Sequence, residues 1–208
     1  MSVVRGPLEV VGAEARDVDP VAALIARAVG GDRAALGELL RHVSPSVLRG
    51  LRSMLGTADI DDVLQESLLA FVDALPSYRG ETNVRRYALR IGIRTALAAR
   101  RRDRIRSGLF ARHVEATEPL QASPSTPTED VLAARRREAF RVLLDEIPES
   151  QAEALALRVV FEYSLEEIAT VTGAPINTIR SRVRLARDAL RAKIEAAPAL
   201  RQLLEVEP

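Results

Sequence analysis

The chain has 208 residues, enough for one medium domain or two small ones, and is 47% hydrophobic but only 3% aromatic. Its 30 Lys and Arg against 29 Asp and Glu leave a formal charge of +1, so the overall balance selects no partner. The absence of cysteine excludes a disulfide framework, a thiolate metal site and a thiol nucleophile.

Leu, Ala, Val and Ile, with abundant Arg and Glu, favour helix, and the expected fold is all-α. Glu9, Glu14, Asp17 and Asp19 stand where a signal peptide would be apolar, and no later stretch reaches membrane-spanning length, so a soluble, cytoplasmic protein with no membrane insertion is expected.

In chain order, residues 1–18 read as a flexible tail. Asp19 is placed to cap a helix opened by Pro20, with Val21, Leu24, Ile25 and Ala28 as its apolar stripe and Gly30-Gly31 as its end. Asp32 caps the next, where Leu36, Leu39, Leu40 and Val43 recur until Ser44-Pro45 is expected to break the helix; another then runs through Val47, Leu51 and Leu55 to Gly56. His42 falls at that expected helix end, which suits a capping or surface role.

After Thr57 or Asp59 as cap, Ile60, Val63, Leu64, Leu68, Phe71, Val72 and Leu75 mark an amphipathic helix to Pro76, with Asp61, Asp62, Gln65 and Glu66 on its other face. A polar loop, 77–83, leads to a helix through Val84, Tyr87, Ala88, Ile91 and Leu97 into Arg100, Arg101, Arg102, Arg104 and Arg106. Arg94 and Arg112 extend that cluster, Asp103 is its single acid, and Glu115, Glu118, Glu129 and Asp130 follow; such segregation suits a polyanion, although a solvated helix face has the same composition.

The first module spans 19–106 and a flexible linker 107–130, with Ser123-Pro124-Ser125-Thr126-Pro127-Thr128 at its centre. The second module, 131–208, holds helices over 131–147, 150–161, 165–172 and 175–196. Ser164 with Glu167 forms a capping box, Gly173 suits a left-handed turn, and Pro175 opens the last helix. Ile176, Ile179, Val183, Ala186, Leu190 and Ile194 share one face of that helix. The opposite face presents Asn177, Thr178, Arg180, Ser181 and Arg184, flanked by Arg182 and Arg187, a donor-rich set suited to base edges and phosphates in a major groove. This is a helix-turn-helix, and the chain reads as a DNA-binding protein.

Two blocks in order carry a family likeness. GDRAALGELL, DIDDVLQESLLAFVDALPSYRGE and RRYALRIGIRTALAARRRDR, followed by LDEIPESQAEALALRVVFEYSLEEIATVTGAPINTIRSRVRLARDALR, resemble the second and fourth conserved regions of the bacterial sigma-70 family. The group resembled is the small extracytoplasmic-function sigma factors, which keep only those two regions.

The resemblance implies that 19–106 binds core RNA polymerase and minus-ten promoter DNA, and 131–208 the minus-thirty-five element. Asp61, Asp62, Gln65 and Glu66 match the motif that grips the clamp helices of the largest polymerase subunit. Tyr78, Arg79, Thr82 and Asn83 match the loop that captures a flipped minus-ten base, with Arg86, Tyr87, Arg90 and Arg94 holding the opened strand. It admits an anti-sigma factor as a further partner and implies no cofactor.

The chain departs from the family's aromatic pattern at Val72, Val84 and Tyr87, and has Ile93-Arg94 where an Arg-Asn pair is usual. Weaker stacking on opened DNA, at about 1–3 kcal/mol per base, or reliance on polar capture is expected. A stand-alone operator-binding regulator would use the same helix-turn-helix and stays open at this point. An enzyme finds no support: His42 and His113 lie in no metal-ligand spacing, and there is no glycine-rich phosphate loop or nucleophile elbow. No catalytic or metal residue is assigned.

Overall fold

A computed structural model describes residues 20–56, 60–111 and 129–198, with Arg201 and Leu204; side chains are described throughout except at 108–111 and 129–132. The expected tail, the caps at Asp19 and at Thr57 or Asp59, the central linker with Arg112, His113, Glu115 and Glu118, and the side chains of Glu129 and Asp130 lie outside the described residues. Every described element is helical: α1 (Pro20–Val29), α2 (Arg33–Leu55), α3 (Ile60–Ala74) with a 3₁₀ turn Leu75–Ser77, α4 (Val84–Ala111), α5 (Glu129–Asp145), α6 (Glu149–Val159), α7 (Leu165–Thr172) and α8 (Ile176–Ala196).

The chain forms two compact units, one through Leu39 and one from Leu40 onward. In the first, Gly31 takes φ +92° between α1 and α2, a left-handed turn open to glycine. Asp32 then caps α2, its Oδ1 accepting from the amides of Ala34 at 2.9 Å and Ala35 at 3.1 Å. Arg27 Nη2 pairs with Asp32 Oδ2 at 2.6 Å, and the Ala35 amide followed by Arg27 holds the Asp32 carboxyl below its ordinary value.

The expected break at Ser44-Pro45 does not occur, because α2 is continuous with Pro45 inside it. Proline in a helix interior costs about 3 kcal/mol through its missing donor and ring clash. Opposing this, Val43, Val47 and Leu51 are fully buried along one stripe, at about 1.5–3 kcal/mol each. Pro45 itself faces solvent, and Ser44 Oγ donates to the Leu40 carbonyl at 2.6 Å. His42 consequently sits inside α2 rather than at a helix end, with Nδ1 3.3 Å from Arg85 Nη2.

In the second unit α3 packs on α4, and Val47, Leu51 and Met54 of α2, Phe71 of α3 and Val84, Ala88 and Ile93 of α4 are buried. α6 and α7 pack on α8, and α6 also lies against α4. That double coverage explains why every residue from Ala152 to Leu157 is buried. The alternation of alanine and leucine there lets two helices approach one short helix. Arg141 of α5 is also buried and reaches α2, where its Nε donates to the Ser53 carbonyl at 2.8 Å and Nη2 to that of Arg52 at 3.4 Å. Those carbonyls belong to the last turn of α2, where that of Arg52 also accepts from the Gly56 amide at 3.1 Å.

Candidate nucleic-acid interface

The helix-turn-helix is built as its residues dictate. Ser164 Oγ accepts from the Glu167 amide at 3.1 Å, and Glu167 Oε2 accepts from the Ser164 amide at 2.9 Å, closing the capping box of α7. Gly173 ends α7 at φ +66°, and Pro175 stands at the N-cap of α8. The Ser164 amide and then Arg86 hold the Glu167 carboxyl below its ordinary value. Its contribution to stability is therefore full above the ordinary carboxylate range and lost as pH falls through the lowered value. Ser164→Ala is expected to lower stability by about 1 kcal/mol, read as an earlier denaturant midpoint at unchanged slope; an unmoved midpoint would remove the cap from the account.

Ile179, Val183, Ala186 and Leu190 bury the inner face of α8. Asn177, Arg180, Ser181, Arg184 and Arg187 are exposed on the outer side, with Thr178 and Arg182 half-buried at its margin. Arg180 Nη1 donates to Asn177 Oδ1 at 2.5 Å, which presets the two leading donors as a pair. Arg184 reaches Asp188 at 3.5 Å, a weak exposed contact easily exchanged for another acceptor.

The loop before α4 is more committed than its composition implies. Asn83 caps α4, its Oδ1 accepting from the Arg85 amide at 2.8 Å. The Tyr78 hydroxyl donates to the Thr82 carbonyl, and the Tyr78 ring lies 5.1 Å from that of Tyr87. Tyr87 in turn meets Phe71 edge-on at 6.4 Å and donates to the Ala74 carbonyl at 3.3 Å. Arg79 is exposed and Thr82 half-buried. A cleft of about 220 Å³ opens here, walled by Tyr78, Thr82, Tyr87 and Arg90 on one side and by residues 170–173 on the other.

The arginines of α4 expected to hold an opened strand are paired within the chain. Arg86 pairs with Glu167 and lies 4.9 Å over the Tyr163 ring. Arg90 Nε meets Glu153 Oε1 at 2.8 Å, with 17% and 8% of the two side chains exposed, and Arg94 approaches Glu149 at 3.9 Å.

On α3, Asp61, Asp62, Gln65 and Glu66 are all exposed. Arg102 grips Glu66 through two bonds of 3.1 and 2.7 Å, which raise the guanidinium above its ordinary value. Leu69, one helical turn beyond Glu66, is 60% exposed. Sequence reasoning missed it, although its offset of seven from Asp62 places both on one face. Among the described residues no cluster of His, Asp and Glu could hold a metal, and no helix is long and apolar enough to cross a membrane.

The family model for Sigma-70 region 2 matches residues 39–105, and that for Sigma-70 region 4 matches 134–190. The chain is 30% identical over 177 residues to the ECF RNA polymerase sigma-E factor of Salmonella typhimurium, covering 83% of this chain and 93% of that protein. It is 34% identical over 183 residues to the ECF RNA polymerase sigma factor SigD of Mycobacterium tuberculosis, covering 84% of each. A solved structure of CnrH in complex with the cytosolic domain of CnrY shares the fold, with a TM-score of 0.50 and 22% identity over 84% of this chain and 96% of that one. The chain therefore belongs to the extracytoplasmic-function group of the sigma-70 family and is an RNA polymerase sigma factor, a non-enzymatic protein that binds core polymerase and promoter DNA to initiate transcription.

Proposed function

We propose that the sigma activity is divided among three surfaces. The exposed side of α8, from Asn177 to Arg187, reads the minus-thirty-five element. The loop and helix comprising Tyr78, Arg79, Thr82, Asn83, Arg86, Tyr87, Arg90 and Arg94 take the minus-ten strand, and Asp61, Asp62, Gln65 and Glu66 grip polymerase. Residues 19–106 and 131–208 are the corresponding functional modules, 107–130 joins them, and the protein works in the cytoplasm, where polymerase and promoters are.

The observation that carries this reading is the outer face of α8, where exposed Asn177, Arg180, Ser181 and Arg184 occupy the leading turns of a helix that buries Ile179, Val183, Ala186 and Leu190 on its opposite side. Short polar and guanidinium donors at a helix N-terminus match the way a recognition helix enters a major groove. Run-off transcription with purified core polymerase on a promoter library tests it. Specific initiation is expected, and Arg184→Ala should weaken use of matched upstream elements by about 5–150-fold, the equivalent of one base contact at 1–3 kcal/mol. Absence of specific initiation, together with a footprint on duplex DNA without polymerase, would overturn the reading.

A further inference from the structure

We infer that the cleft lined by Arg49, Arg85 and Tyr163 is a binding site for a free nucleoside monophosphate. The cleft has a volume of about 290 Å³, at the lower end of small-ligand sites, which suits one nucleotide unit and not a larger cofactor. Arg49 of α2, Asn83, and Arg85 and Arg86 of α4 supply polar lining, while Leu89, Phe161 and Tyr163 supply an apolar and aromatic surface. A phosphorylated aromatic molecule presents the same two halves.

The charge of the site is not balanced within the chain. Arg86 is met by Glu167 and lies over the Tyr163 ring. Among the described residues no carboxylate pairs with Arg49 or Arg85, and the polar neighbour of Arg85 Nη2 is His42 Nδ1 at 3.3 Å. Two guanidiniums without a carboxylate match a phosphate monoester, whose charge near pH 7 is about −1.5 to −2. Each phosphate inside a strand carries a single charge and matches them less well.

Two buried hydroxyls point to a bound partner independently. Tyr163 is 8% and Ser46 9% exposed, and among the described residues neither hydroxyl has a hydrogen-bond partner. Buried polar groups are ordinarily bonded, and among the described residues no fully enclosed side-chain nitrogen or oxygen lacks a partner. The two hydroxyls therefore open on the cleft that they line, where a ligand can satisfy them. Burial pushes the Tyr163 phenol above its ordinary value against the opposing charges of Arg86 and Arg49, so it stays protonated at neutral pH and can donate to an anionic oxygen. Phe161 is half-buried, which leaves ring surface for a base to stack on. Ser46, Arg49, Arg85, Phe161 and Tyr163 belong to none of the three surfaces proposed above, and the inference stands apart from them.

Isothermal titration of the full chain without polymerase, at about 0.15 M ionic strength, tests it with adenosine 5′-monophosphate and guanosine 5′-monophosphate. Adenosine, inorganic phosphate and a single-stranded oligodeoxynucleotide lacking a terminal phosphate are titrated separately. One monophosphate per chain is expected to bind at least about tenfold more tightly than adenosine or phosphate, because the two halves are joined. Arg49→Ala should weaken that binding by about tenfold or more, as loss of a charged hydrogen bond does, and Tyr163→Phe by about two- to tenfold. Arg191→Ala, at an exposed position of α8 outside the cleft, should bind as the wild type does. Helical circular dichroism identifies a variant that has unfolded, and Ser46→Ala then replaces Tyr163→Phe. Absence of saturable monophosphate binding in the wild type overturns the inference. Wild-type affinity in the folded hydroxyl variant, or a loss in Arg191→Ala as large as in Arg49→Ala, overturns it too, since either would mean general attraction of an anion to exposed arginines. Binding of the oligodeoxynucleotide with no binding of either monophosphate would give the cleft to a nucleic-acid strand and overturn it as well.

Discussion

Asp62→Lys is expected to reduce association with core polymerase by at least about 100-fold, since a like charge set against a basic partner costs several kcal/mol. The face it alters has the anatomy of a protein interface. Asp62, Glu66 and Leu69 lie at offsets of four and seven, which aligns them along α3, and Asp61 and Gln65 border them. Among the described residues no cation pairs with Asp61 or Asp62, while Glu66 is already held by Arg102. The available charge is therefore concentrated at the N-terminal turn, and the 60% exposed Leu69 supplies an apolar centre beside it. Leu69→Ala should weaken association about tenfold, the order expected for a partly buried aliphatic anchor. Both positions face solvent, so thermal stability should move by no more than about 0.5 kcal/mol in either variant. Fluorescence titration of labelled sigma with core polymerase reads the result. Wild-type affinity in Asp62→Lys would place the polymerase contact elsewhere on the chain.

Much of this was legible in the residues because most of the fold is local. The 3.6-residue stripes locate the helices, and Ser164, Glu167 and Gly173 define the helix-turn-helix through contacts no more than a few residues apart. What escaped depends on distance in sequence. Periodicity says that Arg86, Arg90 and Arg94 share a face, but their carboxylates lie 81, 63 and 55 residues away, and a charged residue on an amphipathic pattern looks the same whether it meets water or Glu153. Arg141 and Glu153 are buried charges for the same reason. Pro45 misled in the opposite direction: a strong local signal for a break was overridden by tertiary burial of Val43, Val47 and Leu51. Asn83 and Tyr78 have the composition of a loop free to capture a base, yet one caps α4 and the other ties the loop to the Thr82 carbonyl. In the role proposed for this loop, capture of a base would either use their remaining polar and aromatic surface or exchange those bonds.

The position of that loop and of the α4 arginines depends on how closely α2 and α4 approach, and two glycines set the approach. A Cβ at Gly50 would stand 2.4 Å from Leu89 Cδ1, and one at Gly92 would stand 3.0 Å from Val47 Cγ1. Glycine inside a helix costs about 0.5–1 kcal/mol relative to alanine, so each site gives up propensity for close packing. Gly50→Val is expected to lower stability by about 2–3 kcal/mol, because a stiff branched side chain must displace Leu89 from a packed core. For a chain of this size that corresponds to a fall of roughly 4–12 °C in Tm. Leu89 lies between Arg86 and Arg90 on α4, so displacement there should also reduce promoter opening by the holoenzyme. Trimming the obstructing atom provides the check: in a Leu89→Ala background the further loss from Gly50→Val should fall below about 1 kcal/mol, since contacting residues couple by 0.5–3 kcal/mol. An equal loss in both backgrounds would mean that the penalty arises from the α2 backbone and not from its contact with α4.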